Sequence, residues 1–200
     1  MSQHKNRYPS ETALRFEMCR IAKRLWERGL IGASEGNVSC RFDENHLLIT
    51  PCGVIKGDLE PHQLVVTDLH GKPISYGEPS SEFRMHIRIY RELPECFAVV
   101  HAHPPTATGF AIAGKTIPHE SLPEVEIVLG KVALVPFATP GTDEMGNVLV
   151  PFLQSHKTFL LRNHGAVTIG GSLEEAYIRM ETLERIAHML FVAHVMQKES

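Results

Sequence analysis

Apolar residues recur at helical spacing between Ser10 and Gly29, where Leu14, Met18, Ile21, Ala22 and Leu25 share one face. Ser10 offers a capping hydroxyl and Gly29 a stop, so the pattern predicts a helix over 10–29. Gly32, Gly36 and Asn37 read as a loop. The short apolar runs Leu47-Leu48-Ile49-Thr50 and Leu64-Val65-Val66 read as strands, and Thr50-Pro51-Cys52-Gly53 as a tight turn between them. A second helix is predicted after Pro79, capped by Ser80 or Ser81, with Glu82 in its first turn and its end near Leu93, before Pro94. Three further strands are predicted at Phe97–His101, Val132–Val135 and Thr158–Leu161. In the last helix Ser172 and Glu175 form a capping box, and Ala176, Met180, Leu183, Ala187, Leu190 and Phe191 form its apolar face. Helices and strands alternate irregularly, so the class is mixed α/β with strand order open.

Nothing along the chain suggests a repeat or a linker, and 200 residues suffice for one domain, expected over 1–200 with its core at about 10–195. A net charge of −3 offers no broad basic surface, which argues against nucleic acid. No apolar run approaches the roughly 20 residues of a membrane span, and Met1-Ser2-Gln3-His4-Lys5 lacks the apolar core of a secretory signal. Cys19, Cys40, Cys52 and Cys96 are scattered and form no C-x-x-C pair, so a reducing cytoplasm is expected.

Twelve histidines raise the question of which ones converge. His101 and His103 end an apolar strand, and side chains at i and i+2 of an extended segment point the same way, which suits chelation of one metal ion. His164 lies at a break between two apolar runs, and a catalytic zinc site uses three protein ligands with one position open. Taken alone, His164 also fits a turn residue bonded to backbone. Gly36-Asn37, Thr50-Pro51-Cys52-Gly53 and Pro79-Ser80-Ser81-Glu82 combine backbone freedom with amide and hydroxyl groups that suit an anion, though each also fits an ordinary turn or cap. Glu82 is the carboxylate best placed to carry a proton. Burial would raise its pKa and a nearby zinc would oppose the rise. His86, one turn later, reads as a supporting or packing residue. His4, His46, His62, His70, His119, His156, His188 and His194 share no motif and read as surface or core residues.

In order, Glu35-Gly36-Asn37-Val38-Ser39, Thr50-Pro51-Cys52-Gly53, Pro79-Ser80-Ser81-Glu82, Val100-His101-Ala102-His103 and Asn163-His164-Gly165 resemble the motifs of the class II aldolase/adducin family over about residues 10–195. The match is nearest to its L-fuculose-1-phosphate aldolase branch. The resemblance implies a three-layer αβα fold with a mainly antiparallel sheet, a C4 homotetramer with sites between subunits, and zinc held by His101, His103 and His164. It implies Glu82 as the catalytic proton carrier and Gly36, Asn37, Thr50, Gly53, Ser80 and Ser81 around a substrate phosphate. The implied reaction is reversible cleavage of a ketose 1-phosphate to dihydroxyacetone phosphate and an aldehyde.

Three departures bear on specificity. Cys52 stands where the family has a hydroxyl, Leu122 stands where fuculose phosphate aldolase has a catalytic tyrosine from the adjacent subunit, and the chain ends at Ser200, before that enzyme's C-terminal tail. A short, apolar aldehyde is the expectation. Within the family, 4-epimerases carry Asp at the place of Glu82 and tetronate-phosphate decarboxylases carry Lys at the place of Ser81, so aldolase fits both positions better. A sugar-phosphate dehydratase would share the metal site. An adducin-like binding module would lose the histidines.

Overall fold

The computed structural model describes residues 8–198, so His4 lies outside the described residues. Seven strands form one sheet in the order β3-β2-β1-β4-β7-β6-β5: β1 Asn37–Arg41, β2 His46–Ile49, β3 Val65–Asp68, β4 Ala98–Ala102, β5 Val132–Val135, β6 Thr158–Leu161 and β7 Gly165–Gly170. Every pairing is antiparallel except β5 with β6. Alternation along the strands sends Val38, Cys40, Val100, Ala102 and Leu160 to one face. That face is covered by α1 (Glu11–Glu27), α3 (Pro105–Ile112) and α5 (Leu173–Lys198). Val99, Phe159, Leu161 and Val167 face the other way, toward α2 (Phe83–Glu92) and α4 (Asp143–Leu153). The result is the three-layer α/β arrangement expected from the motifs.

Ser10 caps α1 as read, its hydroxyl accepting from Ala13 N at 3.3 Å. At α2 the structure corrects the expectation. The helix begins at Phe83, Glu82 holds the N-cap position, and neither Ser80 nor Ser81 caps it. Ser80 acts one step earlier, its backbone carbonyl accepting from Phe83 N at 3.0 Å. In α5, Ser172 Oγ accepts from Glu175 N, but the Glu175 carboxylate reaches Gly171 N instead of closing the box on Ser172. Phe191, expected on the buried face, is 52% exposed.

The segment Asn37–Arg41, part of which reads as loop, is the strand β1, fully buried although every second residue is polar. Two helices also escape the periodicity reading. Pro105, which looks like the close of a strand, is the first residue of α3, where a missing N–H costs nothing. The free N–H groups of Thr106 and Ala107 are taken by Glu184 of α5 at 2.9–3.0 Å. Gly146 and Pro151 hide α4, yet Gly146 is there for contact: a Cβ would come within 2.7 Å of Arg88 Cβ on α2.

Candidate functional site

Strand pairing assembles the site. In the β1–β4 register Asn37 lies opposite His101, and in the β4–β7 register Ala102 lies opposite Ala166. The β6–β7 turn therefore delivers His164 beside the other two histidines. Asn163 makes that turn with φ +55°, a left-handed conformation that Asn tolerates, and His164 N closes it on Leu161 O at 3.0 Å. Gly165 is needed for proximity, since a Cβ there would sit 2.4 Å from the His103 ring. Cross-bonds hold the two anion-type loops side by side. Cys52 N donates to Glu78 O and Ser80 N to Thr50 O, each at 3.0 Å.

His101, His103 and His164 come together, with one donor nitrogen from each within 4.8 Å of the others. The His101 and His103 Nε2 atoms are 3.2 Å apart, close to the roughly 3.3 Å that tetrahedral geometry gives two nitrogens on one zinc ion. Their far sides are committed: His101 Nδ1 donates to Ala166 O at 2.9 Å and His103 Nδ1 to Glu35 Oε2 at 3.0 Å. Such bonds select the tautomer that leaves Nε2 free as a ligand. Glu35 is itself fixed by Gly32 N at 2.7 Å. The donor set fits a divalent metal.

Glu82 sits against this cluster and is 8% exposed. Oε2 lies 3.0 Å from His101 Nε2 and accepts from Asn37 Nδ2 at 3.1 Å; Oε1 lies 3.2 Å from His164 Nε2. Burial works to raise the carboxyl pKa, as expected, but His101, His164 and the Asn37 amide outweigh it and hold the group well below the usual carboxylate range. The rise that burial alone would give is thus reversed by the neighbouring imidazoles and the amide. His164 is pushed down to about 4 by burial and by the charge of His101 and His103. His101 is raised, because the Glu82 carboxylate and the Ala166 carbonyl together overcome its burial.

Behind Glu82 runs a buried polar chain. His86 Nε2 meets Asn37 Oδ1, His86 Nδ1 meets Ser39 Oγ at 2.6 Å, and Ser39 Oγ meets Tyr90 OH at 2.9 Å. Its direction follows from the carboxylate, which only accepts. Asn37 must present Nδ2 to Glu82 and Oδ1 to His86, so His86 donates from Nε2 and accepts at Nδ1 from Ser39. Burial, with the charge of His101, pushes the His86 pKa down to about 3 and keeps the ring neutral, as a single-tautomer link requires. His86 therefore does more than pack.

The cavity beside the cluster, about 290 Å³, is lined by Gly36, Asn37, Gly53, Ser80, Ser81, Glu82, His103 and His164 among others, and so gathers most of the expected phosphate positions. Thr50 is the exception: it is fully buried, and its hydroxyl accepts from Val38 N at 3.2 Å. Leu122 is partly buried against its own chain's core. The role of Glu35 and the place of Lys56 in the lining escape sequence reasoning, whereas His86 takes the supporting one of its two readings. Glu35 opens the Glu35-Gly36-Asn37-Val38-Ser39 motif and His86 lies one helical turn beyond Glu82, while Lys56 carries no signal.

Residues 16–191 match the family described as Class II Aldolase and Adducin N-terminal domain. The chain is 36% identical to the 3-oxo-tetronate 4-phosphate decarboxylase of Escherichia coli K12, over 91% of this chain and 88% of that protein. It is 39% identical to the L-fuculose phosphate aldolase of Methanococcus vannielii, over 86% and 93% respectively. The solved L-fuculose-1-phosphate aldolase of Thermus thermophilus superposes with a TM-score of 0.82 at 31% identity, covering 94% of this chain and 97% of that one. With the fold, the histidine cluster and these likenesses in agreement, the chain belongs to the class II aldolase and adducin family and is an enzyme of it.

Proposed function

We propose that this protein is a zinc-dependent aldolase that cleaves a ketose 1-phosphate to dihydroxyacetone phosphate and a short aldehyde. The observation that carries the reading is Glu82, an ionised carboxylate touching His101 and His164 at 3.0 and 3.2 Å, at the wall of a cavity that also holds the Gly53 and Ser80-Ser81 loops. His101, His103 and His164 would hold the ion, which when bound supplies a positive charge against the enediolate that forms as the carbon–carbon bond breaks. In cleavage the ionised Glu82 takes the C4 hydroxyl proton, directly or through water, the C3–C4 electron pair becomes the enediolate as the aldehyde leaves, and Glu82 then delivers that proton to C3. In synthesis the ionised Glu82 takes that proton back. The Gly53 and Ser80-Ser81 loops hold the phosphate.

A second reading has a specific support, the 36% identity to a 3-oxo-tetronate 4-phosphate decarboxylase over 91% of this chain. Loss of CO2 from that β-keto acid leaves the same enediolate, and one proton delivered to C2 gives the same dihydroxyacetone phosphate. The two readings share every residue named above and differ in what departs. The aldolase reading is preferred because Ser81 places no cation at the position where a decarboxylase carries Lys. Incubation with ketose 1-phosphates and with 3-oxo-tetronate 4-phosphate, assaying dihydroxyacetone phosphate together with aldehyde or CO2, decides between them. Aldehyde release supports the aldolase. Dihydroxyacetone phosphate with CO2 alone assigns the decarboxylase, and no dihydroxyacetone phosphate from either class refutes both.

We place the enzyme in the cytoplasm as a C4 homotetramer. Supporting assembly, Phe191, Val192 and Met196 near the end of α5 are 52%, 40% and 65% exposed, and a groove of about 1000 Å³ between α3 and α5 is largely apolar, with Phe110 and Leu190 in its lining. No helix among the described residues is long and apolar enough to cross a membrane. The three histidines speak against a purely structural adducin-like module.

A further inference from the structure

Among the described residues the cavity wall carries two carboxylates, Glu35 and Glu82, and, besides the histidines, one basic side chain, Lys56. Lys56 lies three residues beyond Gly53 and is only 2% exposed. Its Nζ donates to Ser34 O at 3.0 Å and to Val54 O at 2.8 Å. An ammonium has three donors, so one remains. Among the described residues no carboxylate forms an ion pair with it. Burial lowers its pKa, opposed in part by Cys52, in the same turn.

Tying two carbonyls needs donors but no charge, and a buried cation without a counter-ion is costly. The position makes sense where a counter-ion arrives with the ligand. Both carbonyls flank the anion-type loops: Val54 follows Gly53, and Ser34 precedes Glu35-Gly36-Asn37. We propose that Lys56 is the charge partner of the substrate phosphate, its third N–H meeting a phosphomonoester seated between the Gly53 turn and Ser80-Ser81. Lys56 thereby selects a dianionic phosphate over a neutral group. This rests on the phosphate reading of those loops, and it replaces a site built of backbone and hydroxyls alone with one that carries a fixed positive charge.

The test is calorimetric titration of the zinc-loaded full chain with inorganic phosphate, with dihydroxyacetone phosphate and with uncharged dihydroxyacetone, in wild type and Lys56→Gln. Gln keeps a donor for the carbonyls and removes the charge. The expected result is a rise of about 10- to 150-fold in the Kd of both phosphate ligands, with dihydroxyacetone unaffected. A rise below about tenfold in a folded, zinc-replete variant overturns the proposal. Should Lys56→Gln fail to fold, the Lys56 Nζ resonance of the wild type is followed during phosphate titration. A saturable shift supports the contact, and an unmoved resonance overturns it. Phosphate binding lost in the variant while no substrate yields dihydroxyacetone phosphate would sustain this inference and sink the lyase reading. Dihydroxyacetone phosphate release with an unchanged KM in Lys56→Gln would do the reverse.

Discussion

The two ends of the cavity are built by different means. At the histidine end two imidazoles are fixed from behind, His101 by the Ala166 carbonyl and His103 by Glu35, while a turn closed on Leu161 sets the backbone of His164. The partners come from distant parts of the chain, and β-sheet register sets their spacing. At the loop end the groups are backbone, two serines and one lysine, and the loops are held by hydrogen bonds to each other. One end fixes side-chain chemistry by long-range packing. The other relies on local backbone and a single charge, so substitutions at the two ends should fail differently.

The largest effect is expected at the histidine end. His101→Ala should lower zinc affinity by well over about 100-fold, beyond what loss of an orienting partner costs, and should leave Lys56-dependent phosphate binding in place. Zinc content after dialysis, read beside phosphate titration, checks this. A variant that keeps stoichiometric zinc would break the assignment. Next comes Glu35→Gln, which removes the charge behind His103 while keeping its shape. Zinc affinity measured against a competing chelator should fall about 10- to 100-fold, and an unchanged affinity would show that His103 is oriented by something else.

The smallest effect belongs to the chain behind Glu82. The His86 pKa is near 6.5 when free and about 3 when folded, so above pH 6.5 the ring is neutral in both states and costs nothing. As pH falls from 6.5 toward 3 the unfolded chain takes up a proton that the folded protein refuses. Metal-free stability should therefore drop by up to about 1.4 kcal/mol per pH unit from this residue. The lowered His164 and Glu82 values act in the same direction, the latter below pH 4.5. In denaturant titrations at several pH values, His86→Gln should flatten the slope by about one proton. An unaltered slope would remove His86 as a buried neutral link.

What was legible in the sequence divides along the same line. The three clustered histidines, Glu82 and most of the loops lining the cavity could be named because each lies in a compact motif, and α1 and α5 because their apolar faces repeat. The strand β1 was opaque, since Asn37, Ser39 and Arg41 are polar residues made burial-tolerant by partners far along the chain: Glu82, His86, Tyr90 and the Cys96 carbonyl. Lys56 was opaque for the converse reason. Nothing local distinguishes it from a surface lysine, and only the folded loops enclose it. The direction of the Glu82 shift also needed coordinates, because burial and neighbouring imidazoles oppose each other and distance decides between them.

Both lyase readings require Glu82 to move a proton between solvent and the same carbon of dihydroxyacetone phosphate. The most direct measurement is therefore deuterium exchange at that C–H, followed by NMR in heavy water with zinc-loaded wild type and Glu82→Gln. Wild type should exchange one hydrogen stereospecifically, and Glu82→Gln, with zinc retained, should exchange roughly 100- to 10,000-fold more slowly. No exchange by the zinc-loaded wild type, or equal exchange by Glu82→Gln, would contradict the role given to Glu82.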